Sequence, residues 1–161
     1  MEWLMLGRTY DAQNCSAART LEIVGERWSL LIIRDALFRG MSRYSQFERS
    51  LGIAPNILAS RLARFVEAGL MKMSPVSEES EVSEYLLTEM GKELGAVVVA
   101  LTAWGDRWAA PKGAPVIYEH LGCGGTVSPV IKCRACSREL KSEDLVVRPG
   151  PGTRQKSPMV N

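Results

Sequence analysis

The stretch from Ser42 to Gly69, SRYSQFERSLGIAPNILASRLARFVEAG, constrains this chain most, because helix start and stop signals occur in it twice. Ser42 can accept from an orphan backbone N–H, so it is the expected N-cap of a helix over Tyr44 to Leu51. Gly52 stands just past that helix, where a left-handed residue closes it at low cost. The turn Gly52-Ile53-Ala54 is short, and Pro55 opens a second helix at the position where its missing N–H costs nothing. Gly69 closes it. On the second helix Leu58, Leu62, Phe65 and Val66 share one face at i, i+4, i+7 and i+8. Asn56, Ser60, Arg64 and Glu67 fall on the opposite face, with Arg61 on the flank. Asn pairs bidentately with adenine and Arg with guanine, so this face suits base edges in a major groove. An amphipathic helix with a solvated polar face fits the same wheel. The short Gly-bearing turn, and the strand-like Leu70-Met71-Lys72-Met73 that follows, favour a helix-turn-helix.

The flanking segments complete a small domain. Ser16 to Val24 reads as a first helix through Ala17, Leu21 and Val24, and Gly25 breaks it. Trp28 to Phe38 is apolar on most sides and should be the buried centre, ending at Gly40. Leu70–Met73 and Glu84–Leu87, joined by a polar loop, predict a β-hairpin. Helices followed by such a hairpin make a winged helix. The loop would be the wing, but Glu78, Glu79, Glu81 and Glu84 would repel phosphates. Thr88 to Ala109 predicts the longest helix, capped by Thr88 and stopped by Pro111. Leu94, Val97, Val98, Leu101, Trp104 and Trp108 form one stripe on it, too long for so small a body to cover, so part of it is expected at a dimer interface. Intrachain core is the competing reading. Trp28, Trp104 and Trp108 are also candidate walls of an apolar ligand pocket, with plain core again the alternative. Residues 1–14 read as an arm whose Trp3, Leu4, Met5 and Leu6 should bury against the body or a partner.

Composition narrows the class. The chain has 161 residues, 46% hydrophobic and 24% charged, as in an ordinary globular protein. No apolar run approaches the ~20 residues needed to span a bilayer. The N-terminus lacks the basic and apolar regions of a signal peptide, so the expected location is the cytoplasm, where thiols stay reduced. The net charge of +2 hides a segregation: residues 15–73 carry nine Lys/Arg against five Asp/Glu, residues 74–110 two against seven, and residues 111–161 eight against four. The helix-turn-helix thus lies in a mildly basic segment, as a phosphate-facing surface should.

The last fifty residues have their own pattern. His120, Cys123, Cys133 and Cys136 give H-x2-C-x9-C-x2-C, a spacing that predicts a small zinc-ribbon-like β module. One structural zinc ion per chain would be held by one His and three Cys, leaving no open position for water. Gly124 and Gly125 would let backbone N–H groups approach a thiolate, and the segment has few large apolar residues, so a metal would supply its order. Free thiols in a small hairpin, or a redox disulfide, are the competing readings. After Arg148 the sequence is Pro/Gly-rich and polar, and is expected to be disordered.

Taken together, these motifs resemble the HxlR-type, MarR-like winged-helix transcriptional regulators. The similarity is carried by CSAARTLEIVGERWSLLIIRDAL, by R-x-x-x-F-E-R-S-L-G-I, by L-x-x-R-L, by Gly-Leu before the strand and by Y-x-L-T-E-x-G after the hairpin. It spans Cys15 to about Pro111, roughly 60% of the chain. The resemblance implies a homodimer, held by the N-terminal helix (Leu21) and the long C-terminal helix, on a pseudo-palindromic operator in double-stranded DNA. By position, Asn56, Ile57, Ser60, Arg61 and Arg64 would face DNA, Arg43 would meet a phosphate, and Ser45 and Gln46 would contact the backbone. Such regulators usually repress, though some activate. Two departures stand out: Ala54 replaces the usual Ser cap, and Val82 and Ser83 occupy the place of a wing arginine. Some family members sense quinones, aldehydes or oxidants at a Cys in the place of Cys15. Here Cys15 heads a helix whose macrodipole favours a thiolate, one turn from Arg19. An inert thiol is the alternative. Similar tails occur on some HxlR-type proteins.

The expected fold is therefore mainly α with a small β-hairpin. It divides into an arm (1–14), a winged helix-turn-helix for DNA binding and dimerisation (15–111), a Cys/His module (112–148) and a tail (149–161). The expected function is a sequence-specific regulator, a repressor released by a redox, electrophile or small-molecule signal. The alternative is a protein-interaction module with impaired DNA binding. An enzyme is disfavoured, because the single His belongs to the tail and no nucleophile-base pair or phosphate loop is present.

Overall fold

The structure is a computed structural model that describes residues 10, 14–77 and 82–153. The expectations for Trp3–Leu6 and for Glu78, Glu79 and Glu81 fall outside them. The chain divides into two compact units, Ile23–Pro129 and Met1–Glu22 with Val130–Asn161. The boundaries thus differ from the sequence division: most of the first helix groups with the C-terminal segment, and the Cys/His module is split between the units.

The elements are α1 (Ser16–Val24), α2 (Ser29–Phe38), α3 (Tyr44–Leu51), α4 (Pro55–Glu67), β1 (Met71–Pro75), β2 (Ser83–Leu87), α5 (Glu89–Glu93), α6 (Gly95–Trp108), β3 (Ile131–Lys132) and β4 (Glu139–Leu140). In the larger unit, α2 is central. Its Ile32 and Ile33 are fully buried with Phe47 of α3 and with Leu58, Leu62 and Phe65 of α4. Each such side chain contributes about 1.5–3 kcal/mol by leaving water. Asp35 is buried with them. Its carboxylate accepts from Ser50 Oγ of α3 at 2.7 Å and from Arg34 at 2.8 Å, with Arg39 at 3.7 Å, so α2 and α3 are joined by a satisfied buried charge.

β1 and β2 pair antiparallel from Met71↔Leu87 to Pro75↔Ser83. The Tyr85 N–H also donates to the Ser42 carbonyl at 2.7 Å, tying the hairpin root to the entry of α3. Thr88 caps α5, accepting from the Gly91 N–H at 3.2 Å and donating to the Gly69 carbonyl at 2.7 Å.

Two expectations are corrected. The residues after Thr88 do not form one continuous helix: α5 ends at Glu93 and α6 begins at Gly95, with Leu94 between them at φ −65° and ψ −10°. Gly91 packs α5 against the start of β1, where a Cβ would run into the Leu70 carbonyl. Ser42 is not the N-cap of α3; Arg43 is, and the Gln46 side chain accepts from the Ser42 and Arg43 N–H groups at 3.0 and 2.9 Å. Within the tail, residues 150–153 close a turn through the Gly150 N–H to Thr153 Oγ1 and the Thr153 N–H to the Gly150 carbonyl.

Candidate nucleic-acid interface

The turn between α3 and α4 is built as its sequence dictates. Gly52 ends α3 at φ +58°, a left-handed conformation that favours glycine. Ile53 is buried beneath the turn, and Pro55 opens α4. Ala54 offers no side-chain acceptor. The Tyr44 hydroxyl instead donates to the Pro55 carbonyl at 2.6 Å and braces the first turn of α4 against α3. Burial, then Glu48 and Tyr85, pushes the Tyr44 pKa up, which keeps the hydroxyl a donor.

α4 buries one side and exposes the other. Leu58, Leu62 and Phe65 are inside, while Asn56, Ser60 and Arg64 are exposed together with Pro55, Ala59 and Ala63. The small side chains had not been singled out in the sequence. They lie between the polar positions of the same face and would let the helix approach bases closely; an alanine methyl also suits the thymine methyl. The repeat Pro55, Ala59, Ala63 at i, i+4, i+8 was the available signal.

Other expected contact residues have additional partners. Arg61 is only 15% exposed, its guanidinium held by Glu26 at 3.0 Å, and its Nε is buried without a hydrogen-bond partner. Arg61 is thus turned toward the α1–α2 connection. Ile57 is half-buried and packs on the core. Ser45 is exposed, whereas Gln46 spends its side-chain oxygen on the helix cap. Arg43 is half-exposed at the foot of α3, but its Nε lies 3.3 Å from Glu84 of β2, which also accepts from Ser42 Oγ at 3.1 Å. Glu84, expected to repel phosphate, lies beside Arg43, the side chain expected to meet one.

The apolar stripe divides. Val98 is buried and Leu94 half-buried, and both pack into the intrachain core, which corrects their assignment to a dimer interface. Val97, Leu101, Trp104 and Trp108 remain exposed on α6, the two tryptophans at 62% and 66%. Leu21 on α1 is exposed as well. Trp28 packs on the core, and the described cleft of about 590 Å³ in this unit is lined by Leu37, Met41, Lys72, Tyr85, Leu86 and Lys92 rather than by tryptophans.

In the smaller unit Cys15 is exposed directly before α1. The Ala18 and Ala17 N–H groups donate to its sulfur and hold the thiol pKa below its ordinary range. Arg19 is engaged with Glu22 at 3.3 Å. Cys15 borders a cavity of about 710 Å³ lined by Asn14, Ser16, Arg19 and residues 147–153. The Asn14 amide donates to the Gly152 carbonyl at 2.9 Å across it.

The expected metal ligands stand as two pairs, one per unit. His120 Nδ1 lies 3.2 Å from Cys123 Sγ. The Cys136 and Ala135 N–H groups donate to Cys133, whose pKa they lower, helped by the Cys136 side chain. Among the described residues no group of three or more His, Cys, Asp or Glu side chains is gathered at a metal-binding distance.

Comparison with known proteins agrees with this geometry. The model of the HxlR-like helix-turn-helix family matches residues 23–113. An uncharacterized HTH-type transcriptional regulator of Mycobacterium tuberculosis is 43% identical over 142 residues, 88% of this chain and 89% of its own. The crystal structure of PA1607, assigned as a transcription factor, superimposes with a TM-score of 0.74 at 39% identity, covering 83% of this chain and 94% of that one. The reduced form of the transcriptional regulator YodB from B. subtilis has a TM-score of 0.51 at 28% identity, covering 60% of this chain and 96% of that one.

Proposed function

Because this chain belongs to the HxlR-like helix-turn-helix family of DNA-binding transcriptional regulators, we propose that it works as a homodimeric, sequence-specific repressor whose grip on its operator is released by a chemical signal. The observation that carries the reading is the exposed face of α4. Asn56, Ser60 and Arg64 stand among small residues on a helix whose other side is locked into the core. Asn56 and Ser60 reach base edges, Arg64 reaches a guanine or a phosphate, and Arg43 and Ser45 contact the backbone at the foot of α3. Arg61 supports the helix through Glu26 and reaches DNA only if that pair opens.

The exposed row Val97, Leu101, Trp104 and Trp108 supports dimerisation through α6, since so much aromatic surface at helical spacing is costly to leave in water. Two copies then present two α4 helices to half-sites about one DNA turn apart. Cys15 supports a redox or electrophile input: it is exposed, its thiolate is favoured by two backbone N–H groups, and it opens on a cavity able to admit a small electrophile. Cytoplasmic operation and the absence of catalysis follow from this reading. No described helix is long and apolar enough to cross a membrane.

The test is fluorescence anisotropy on DNA from upstream of its own gene and its neighbours, over a salt series, with and without a quinone or thiol oxidant. Tight, sequence-selective binding with a steep salt slope is expected, lost on oxidation in the wild type and retained in Cys15→Ser. Selective binding indifferent to the oxidant would refute the thiol input and leave the repressor. Absence of selectivity at any salt would favour an interaction module.

A further inference from the structure

α4 is held in two ways that do different things. Leu58, Leu62 and Phe65 are fully buried and fasten one side of the helix to the core. Apolar burial is non-directional, so it sets how deeply α4 sits and constrains a small roll about its axis less. That roll decides where Asn56, Ser60 and Arg64 point. Hydrogen bonds and ion pairs have preferred distances and angles, and they define it. At the first turn the Tyr44 hydroxyl donates to the Pro55 carbonyl at 2.6 Å. In the middle of α4 the tie is Arg61, whose Nη2 lies 3.0 Å from Glu26 Oε2.

Arg61 differs from the polar residues beside it. Asn56, Ser60 and Arg64 are exposed, whereas the Arg61 side chain is turned inward and its Nε is buried without a partner among the described residues. An arginine on a helix surface ordinarily keeps its guanidinium in water by extending its stem. An orphan donor is costly, so the inward arrangement is held by the contact with Glu26. Glu26 is itself a fixed post. It stands between α1 and α2, and its carbonyl accepts from the Ser29 N–H at 3.0 Å at the entry to the central helix. The adjacent cation, Arg27, lies over the Trp28 ring at 5.3 Å. Ser29 Oγ is the second buried side-chain atom without a partner among the described residues, so both such atoms belong to residues bonded to Glu26. A partly satisfied polar seam is less rigid than a fully satisfied one, and this seam can yield while the apolar core beneath it stays intact.

We propose that Arg61 is a positioning residue for base recognition: through Glu26 it sets the roll of α4, and in the closed pair it makes no contact with DNA. This rests on the reading of α4 as the helix that enters the groove. Opening the pair lets the exposed face of α4 turn by a small angle. Contacts to base edges need aligned donors and acceptors and are lost, whereas attraction to phosphates carries no sequence information and persists. Glu26 and Arg61 are thus determinants of specificity that lie outside the contact face. The connection between α1 and α2 is the place from which α4 is steered.

The experiment compares the full chain with Glu26→Gln, Arg61→Met and the double variant. Anisotropy over a salt series reads the affinity of each for an operator duplex and for a random duplex, and thermal unfolding checks that each is folded. The two single substitutions change charge in opposite directions, so electrostatics alone would move affinity in opposite directions. Positioning moves both the same way. Each single variant should lower the ratio of operator to random affinity by about 3- to 10-fold. Affinity for random DNA and the salt slope should stay as in the wild type, and the double variant should be no worse than either single. Tighter operator binding by Glu26→Gln, with a salt slope smaller by about 0.9 in Arg61→Met, would overturn the proposal and make Arg61 a phosphate contact. A selective wild type with the same ratio in both single variants would overturn this proposal alone. A wild type that does not tell operator from random DNA would overturn the regulator reading, and this proposal with it.

Discussion

Replacing Glu84 by Gln should tighten DNA binding, by an amount the geometry bounds. Glu84 sits 3.3 Å from Arg43 Nε, and the two side chains are 27% and 49% exposed. An ion pair so open to water is worth about 0.2–1 kcal/mol, far below its bare Coulomb energy. A phosphate approaching Arg43 must draw on a guanidinium already shared with that carboxylate and must also approach the carboxylate's negative charge. Glu84→Gln removes the charge and keeps an amide oxygen for the Ser42 hydroxyl, which Glu84 now accepts at 3.1 Å, so the junction of α3 with the hairpin should survive. The expected gain is about 1.5- to 5-fold in affinity per protomer. Arg43→Gln should flatten the plot of log affinity against log salt by about 0.9 for the lost phosphate contact. In the double variant the benefit of Glu84→Gln should shrink to the relief of the carboxylate's repulsion of the phosphate, because no arginine is left to release. The assay is anisotropy titration of the four proteins over a salt series on one operator. Equal or weaker binding by Glu84→Gln at every salt concentration would refute the reasoning, and so would a salt slope unchanged in Arg43→Gln.

Asp35→Ala should destabilise the fold by about 1.5–3 kcal/mol, since it removes a buried acceptor bonded by the half-buried Ser50 hydroxyl and by Arg34; urea unfolding would read it as a lower midpoint with unchanged slope. Gly91→Ala should also destabilise, because its methyl meets the Leu70 carbonyl, whereas Gly105→Ala, with open space around it, should not; thermal unfolding of the pair separates the two. Trp104→Glu and Trp108→Glu should shift the protein toward monomer in sedimentation equilibrium and leave the melting of the monomer nearly unchanged, because both side chains are exposed. Iodoacetamide labelling of Cys15, followed by peptide mapping, should show its rate falling off at a lower pH than that of an unstructured Cys peptide. The Ala18 and Ala17 N–H groups favour the thiolate, so more of it survives as pH falls.

The parts legible in the sequence were those fixed by local chemistry. α1 and α3 have the limits that their apolar spacing and terminal glycine signalled, and Pro55 and Gly52 mark the turn where their backbone preferences require it. The hairpin differs only in its ends. The interruption at Leu94 was passed over in the sequence, although Gly95, a weak helix former, follows it directly. Ser42 was a reasonable cap by type, but Glu84, forty-two residues away, takes its hydroxyl and leaves the capping to Gln46. The exposed face of α4 could be read from periodicity alone. The partners of its charged neighbours could not, because Arg61 with Glu26 and Arg43 with Glu84 are pairings across the fold.

That difference bears on how operator affinity is distributed. Two of the arginines expected to meet DNA, Arg43 and Arg61, are both engaged by carboxylates. Each can serve DNA only by exchanging one anion for another, so its net contribution is the difference between two similar attractions and is small. Asn56 and Ser60 carry no charge to neutralise, and on the proposed reading their contacts would depend on the shape of base edges. With a wing sequence rich in glutamate, an interface of this kind gains less from phosphates than a basic winged helix does and more from its fit to a sequence. A modest displacement of α4 would then cost most of the affinity, because groove contacts tolerate less movement than charge–charge attraction does. A regulator built this way can be released by a small shift of its helices.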